Sequence, residues 1–218
     1  MDEIPLLILG ASFSFEVINL VQDINKKKRE IIKIIGILDD NKKFINKKID
    51  NIPVLGKINE IKKFKKEKIN ISINSFKNRF IQKKLIKKYS LKSSRFLKLI
   101  HPTAHVGNKS QIGAGSVIFQ FVNIWSRVKI KSNTRINPFT SITPGCVIGN
   151  NCTISHGVKI GINSKIGDEC FLGSGSSVGE NVSLASGTML CENSYANKSS
   201  NTTNCVLLGN PARPIGRS

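Results

Sequence analysis

An aliphatic residue returns at every sixth position, without a break, from Val106, Ile112 and Ile118 to Val178, Leu184 and Leu190. Fifteen consecutive matches at one spacing constrain the fold more than any other feature of the chain. The position two before each is mostly small or β-branched, as at Ser116, Thr134, Cys152 and Thr188, and the position after is often glycine, as at Gly113, Gly149 and Gly167. Such a period suits neither a 3.6-residue helix nor a long alternating strand. It suits a coil whose short strands each turn one aliphatic side chain inward before a corner. Three strands close a triangular coil, and the repeat region then makes about five coils, stacked about 4.8 Å apart. Each coil covers its aliphatics only against its neighbours, so the stability is that of a solenoid. Cys146, Cys152 and Cys170 fall at the small inward position and read as core filler.

Upstream of the repeat the pattern changes to alternating strand and helix: Ile4 to Leu9, a helix from Ser14 to Lys28, a strand Lys33 to Leu38, a short strand near Pro53-Val54, a helix from Ile58 to Phe64, a strand Ile69 to Ile73 and a helix from Lys77 to Tyr89. This alternation predicts a small α/β domain with a parallel, Rossmann-like sheet over 1–99, followed by a β-helix domain and tail over 100–218. The first strand ends in Gly10-Ala11-Ser12 and feeds a helix, a geometry in which backbone N–H groups can meet a phosphate. The second ends in Asp39-Asp40, carboxylates able to accept hydrogen bonds from a ribose or base. A full Gly-x-Gly-x-x-Gly is absent, so a plain strand-to-helix turn is the competing reading.

Lys, Ile and Asn together supply 81 of the 218 residues, so the net charge of +20 is in part compositional background. Its distribution is uneven, +14 within residues 1–100 and +6 in the rest. A basic chain attracts nucleic acid, anionic lipid or phosphorylated metabolites. The runs Lys26-Lys27-Lys28-Arg29 and Lys62 to Lys68 are interleaved with Ile and Phe at helical spacing and read as solvated faces of amphipathic helices. On that reading of the runs, nucleic acid is the least favoured of these partners. The acidic start and the shortness of Ile4 to Leu9 give no leader or membrane span, so a cytoplasmic protein is expected. Five cysteines with no Cys-x-x-Cys pair, and no histidine at zinc spacing, predict neither disulfides nor a metal site.

On the opening strand with Gly10-Ala11-Ser12, the Leu38-Asp39-Asp40 strand end, the junction Leu99-Ile100-His101-Pro102-Thr103-Ala104, the six-residue array and the terminal Gly209-Asn210-Pro211-Ala212-Arg213, the chain resembles a known family. That family is the bacterial sugar O- and N-acyltransferases with a left-handed parallel β-helix, which includes the sialic-acid O-acetyltransferases and the UDP-4-amino-sugar N-acetyltransferases of bacillosamine synthesis. The resemblance implies a homotrimer that takes acetyl-CoA as co-substrate and acylates a nucleotide-linked sugar for a surface polysaccharide or glycan. It implies sugar-nucleotide contacts from Gly10, Ser12, Asp39 and Asp40, and donor contacts from Thr153, Ser174, Gly209, Pro211 and Arg213. Three positions depart from the family. Its His followed by Asp or Glu is replaced here by Pro144-Gly145, the first loop runs on as Phe13-Ser14, and a loop glycine after the third strand is Asn74.

Acyl transfer needs a base for the proton of the attacking nucleophile, and His suits with its reference pKa of about 6.5. Of the three histidines, His101 opens the junction and reads as packing, and His105 reads as an outward residue of the first coil. His156 holds the place in its repeat that Pro144 holds in its own, twelve residues on and therefore two thirds of a turn away. It is the candidate base, projecting into a cleft from a neighbouring subunit, with an uninvolved surface His and a structural contact as the alternatives. Cys191 beside Glu192 is a weaker nucleophile candidate. Phe119, Phe121, Trp125 and Phe139 form an expected outward apolar stripe, either a subunit interface or a wall for pantetheine or acyl chain. Arg127, Lys129, Lys131 and Arg135 face either phosphates or solvent. The competing function is a catalytically silent trimeric binding or assembly protein of the same fold, favoured by the missing His–acid pair.

Overall fold

The computed structural model describes residues 3–27, 31–73 and 80–217. Lys28, Arg29, Asn74 and the start of the helix predicted from Lys77 lie outside these. The chain divides into two compact units, Met1–Pro102 and Thr103–Ser218.

In the first unit, strands β1 (Glu3–Leu9), β2 (Ile31–Leu38), β3 (Lys48–Ile49), β4 (Ile52–Gly56) and β5 (Lys68–Ile71) form one sheet in the order β3-β4-β2-β1-β5. Pairing is parallel except between β3 and β4. Leu6, Leu7, Ile8 and Leu9 are all fully buried, the continuous apolar run of a central parallel strand covered on both faces. Helix α1 (Ser14–Asn25) buries Val17, Ile18, Leu20, Val21 and Ile24. It stops at Asn25, short of the predicted Lys28, because the Asn25 amide donates to the Ile32 carbonyl and accepts from the Ile32 N–H, tying the helix end to β2.

Two readings of this unit change. The segment predicted as a helix from Ile58 to Phe64 is a 3₁₀ helix, Ile58–Lys63, so the Lys62 to Lys68 run lines no amphipathic α-helix. The hairpin β3–β4 is additional. Its two loop residues, Asp50 and Asn51, have φ of 44° and 67°, the pair of left-handed residues that a tight hairpin turn demands. Helix α2 (Ile81–Lys88) lies within its predicted span.

The second unit is the predicted three-sided prism of about five coils. Its first face carries the strand pairs His105–Val106, Asn123–Ile124, Ser141–Ile142, Lys159–Ile160, Ser177–Val178 and Tyr195–Ala196, each hydrogen-bonded in parallel to the next. The second face runs from Gln111–Ile112 to Ser183–Leu184, and the third includes Val117–Ile118, Arg135–Ile136, Thr153–Ile154, Phe171–Leu172 and Met189–Leu190. The longer strand Cys205–Gly209 continues the third face, and Ala212–Arg217 returns antiparallel to it.

The inward aliphatics Ile118, Ile124, Ile136, Ile142, Ile148 and Ile154 are fully buried. The second inward position is also explained. Its hydroxyl or thiol donates to a carbonyl fifteen residues on, as from Ser116 to Lys131 (2.8 Å), Thr134 to Gly149 (2.7 Å) and Cys152 to Gly167 (3.1 Å). A small side chain with a donor satisfies corner backbone that a purely apolar residue would leave unpaired. Burial pushes the thiols of Cys146 and Cys152 above their ordinary pKa, which suits this role as neutral donors.

Candidate active site

Every coil turns its corners through a left-handed residue, and these recur at the six-residue spacing: Phe121 and Phe139 (φ 56° and 62°), Gly157 (65°), Gly175 (68°) and Asn193 (55°) mark the edge that joins the third face to the first. The edge is laced by backbone hydrogen bonds from Gly157 N to Pro138 O (3.0 Å), Gly175 N to His156 O (2.9 Å) and Asn193 N to Ser174 O (2.9 Å). His156, exposed, therefore sits one coil below Ser174 on one line. Above them the strand Cys205–Gly209 ends at the same edge, with Gly209 N donating to Ser194 Oγ (3.0 Å), and the chain turns back through Asn210-Pro211. Four of the sequence-predicted residues, His156, Ser174, Gly209 and Pro211, thus share one edge. From His156 to the Gly209 turn is three coils, about 14 Å. Thr153 stands apart, buried within the third face.

Pro144 and Gly145 lie on a different edge, between the first and second faces. The place of the missing Gly145 side chain is filled there by Asn163 Oδ1. Beside the Gly209 turn, a cavity of about 360 Å³ opens between Ala196, the loop Lys198–Thr202 and the returning strand Ala212–Pro214. Two cations line it, Arg213 and Lys198, and Arg213 is held by bonds from Nη1 to Ala212 O (2.9 Å) and Asn197 Oδ1 (3.5 Å). Lys198 carries no motif that marks it in the sequence.

Cys191 is half-buried. Burial first, and then the charge of Glu192, raise its thiol above the ordinary pKa, which disfavours the thiolate a nucleophile needs. The expected apolar stripe loses a member: Phe119 is buried beneath the Arg135 guanidinium, 4.4 Å from the ring centroid. Arg135, also buried, donates from Nε to Asn137 Oδ1 and leaves the basic group expected with Arg127, Lys129 and Lys131, which are exposed. Phe121, Trp125 and Phe139 do stand out from the surface. His105 is exposed, and His101 Nε2 lies 3.3 Å from Asp23 Oδ2.

In the first unit, Gly10 (φ 100°) packs against Ile73 so closely that a side chain would collide with it. Asp39 spends both oxygens on backbone, Oδ2 on Ala11 N–H (2.6 Å) and Oδ1 on Asn41 N–H (2.7 Å), while Asp40 Oδ1 accepts from Ile58 N–H (3.0 Å). Ser12 is exposed at the mouth of the loop. A carboxylate already on the loop N–H makes this a poor cradle for a phosphate and a better rim for neutral hydrogen-bonding groups. Next to it, where the strand order reverses between β1 and β5, Asn70 on β5 and Ser72 just past its end are buried, with Asn70 Oδ1 and Nδ2 and Ser72 Oγ lacking hydrogen-bond partners among the described residues. Their polar–apolar alternation with Ile69, Ile71 and Ile73 is visible in the sequence and marks them as unlike the other buried strands. Among the described residues no three His, Cys, Asp or Glu come together as a metal would need, and no helix is long and apolar enough to cross a membrane.

Residues 127–161 match the bacterial transferase hexapeptide family, described as six repeats, and residues 164–194 match the hexapeptide repeat of succinyl-transferase. No curated protein matches the sequence. Among solved structures, the acetyltransferase domain of PglB from Neisseria gonorrhoeae superposes with a TM-score of 0.82 at 20% identity, covering 97% of this chain and 99% of that one. The same domain has been solved with acetyl coenzyme A. PerB from Caulobacter crescentus, in complex with CoA and GDP-perosamine, gives a TM-score of 0.72 at 19% identity over 97% of each chain. AntD, an N-acyltransferase from Bacillus cereus in complex with dTDP and 3-hydroxybutyryl-CoA, gives 0.52 at 19% identity over 62% of this chain and 87% of that one. At such identities the likeness speaks for the fold. By its six-residue repeats and by its architecture, the chain resembles the hexapeptide-repeat sugar acyltransferases.

Proposed function

We propose that the chain is an acyltransferase that carries an acetyl group from acetyl-CoA to an amino or hydroxyl group of a nucleotide-linked sugar, as a homotrimer, in the making of a surface polysaccharide or glycan. The observation that carries this reading is the alignment of His156, Ser174 and the Gly209–Pro211 turn along one edge, ending at a cavity with two cations. Solved proteins of the same fold hold CoA, its thioesters and sugar nucleotides. In this reading Ser174 and the Gly209–Pro211 turn receive the pantetheine arm, and Arg213 with Lys198 receives the phosphates.

The acceptor nitrogen or oxygen attacks the thioester carbonyl. As the new bond to carbon forms and the C–S bond breaks, the acceptor proton passes to His156 and from it to the departing sulfur, leaving the acylated sugar and the free CoA thiol. Within the first unit, Gly10, Ser12, Asp39 and Asp40 form the rim of a sugar-nucleotide site, and Asn70 and Ser72 supply the unspent donors and acceptors within it.

Calorimetry with acetyl-CoA is the first test, and absence of heat at millimolar ligand removes the reading. His156→Ala lowers turnover by about 10²-fold or more, the contribution of a general base, while the melting temperature stays at the wild-type value. A full-rate variant ends the assignment. Pro144-Gly145, neither of which has a side chain able to move a proton, favours the second reading, a silent binding protein. It predicts acetyl-CoA binding with no turnover on any UDP-, dTDP- or GDP-amino sugar.

A further inference from the structure

The closing edge below His156 carries two residues that its backbone resists. Phe121 and Phe139 occupy left-handed corner positions that elsewhere on the prism go mostly to glycine and asparagine. A bulky residue in that conformation is strained, and strain of this kind is retained where the side chain has work at a site. The two rings are stacked, centroids 5.4 Å apart and planes 15° from parallel, and Phe139 is 66% exposed although its lower face is covered.

Above the upper face of Phe139 the side-chain layer is missing. At Gly145, Gly175 and Gly187 the space a side chain would take is filled by the amide of an asparagine one coil on, Asn163, Asn193 and Asn204. Gly157 has nothing within 4 Å of that space. The residue above it is Gly175, so a notch is left open along the edge, floored by the Phe139 ring and flanked by His156.

We infer that Phe139 and Gly157 form an acyl seat that admits, beside acetyl, thioesters carrying a longer apolar chain and binds them more tightly. This rests on the donor reading above. A pantetheine arm descending from the Gly209 turn past Ser174 brings its thioester to His156, and whatever lies beyond the thioester carbon continues along the same line onto Phe139, one coil below. The floor is aromatic and, among the described residues other than its chain neighbours, none comes within 4 Å of the space over Gly157, so the group that fits is a hydrocarbon chain and not a carboxylate or a sugar hydroxyl.

The test compares acetyl-CoA with hexanoyl-CoA by calorimetry on the full chain, without an acceptor. Burial of the added methylenes makes hexanoyl-CoA bind about tenfold more tightly than acetyl-CoA in the wild type. Phe139→Asn removes the floor and Gly157→Asn fills the notch. Both put at these corners the residue found at Asn151, Asn163, Asn181 and Asn193, so the backbone accepts them. Each lowers the preference to about threefold or less, whereas Trp125→Ser, exposed on the first face, keeps it. Equal affinities in the wild type, or an unchanged preference in both Asn variants, overturn the inference and leave the donor reading standing. No heat with either thioester sinks both together. A Phe139→Asn protein that sediments as a monomer while the wild type does not assigns the ring to a contact between copies, and that result also overturns the seat.

Discussion

At the scale of single residues, the left-handed corners make the sharpest demands. Arg127 has a φ of 60° and an exposed side chain, and no side-chain contact among the described residues explains its place there. Arg127→Asn relieves a strain of about 1 kcal/mol and raises the urea midpoint, a gain readable in equilibrium unfolding. Asp23 is the other residue with a clear expectation. Hydrogen bonds from Lys26 first, and from His101 next, hold its carboxyl below the ordinary 3.8. A carboxyl depressed in the folded state adds stability that is complete above its unfolded pKa and is lost as pH falls through the folded one. Asp23→Asn therefore leaves the melting temperature less sensitive to pH below about 4, with the effect modest because the side chain is partly exposed. The sequence allowed His156 to be picked out, since its distance from the inward Ile154 fixes it at a corner. It did not allow the burial of Phe119 to be seen, because the outward side of a strand reads the same whether solvent or a guanidinium stands over it.

The strands of the prism from His105–Val106 to Tyr195–Ala196 have two residues each, too short to persist alone, so each is held by the coils above and below. Ile142→Ala, in the middle of the stack and fully buried, costs about 2–5 kcal/mol. Val106→Ala, where the first coil leaves its inward residue 37% exposed, costs about 1 kcal/mol or less, and the contrast is measurable by denaturant titration. The prism was legible because one period governs inward side chain, hydrogen-bonding small residue and corner alike. The 3₁₀ helix at Ile58–Lys63 was not. Its start depends on Asp40 Oδ1, eighteen residues earlier in the chain, accepting from Ile58 N–H, a tie that local pattern does not contain.

For the whole molecule, the excess of positive charge is the property that solution conditions reach first. A net charge of +20 attracts a polyphosphate ligand over distances comparable to the Debye length, about 10 Å at 0.1 M salt. The acetyl-CoA dissociation constant rises several-fold between about 50 and 300 mM salt, and Arg213→Gln shallows that dependence because one of the two cations at the cavity is gone. The candidate donor edge could be sketched from the terminal Gly-Asn-Pro-Ala-Arg and His156. The pair Asn70 and Ser72 shows in the sequence as a polar alternation, but its place at the reversal beside Gly10 emerged only from the sheet order.

The antiparallel return of Ala212–Arg217 sets a rule for how such a chain can change in length. With this strand folded back on its neighbour, the third face takes no further coil beyond Cys205–Gly209, so new rungs have to enter in the interior. Between His156 and Leu190, an insertion or deletion of six residues would rotate everything after it by one face and carry the terminal turn away from His156. Only a whole turn of eighteen keeps the line, so lineages of this molecule should differ by that quantum or not at all between His156 and Leu190.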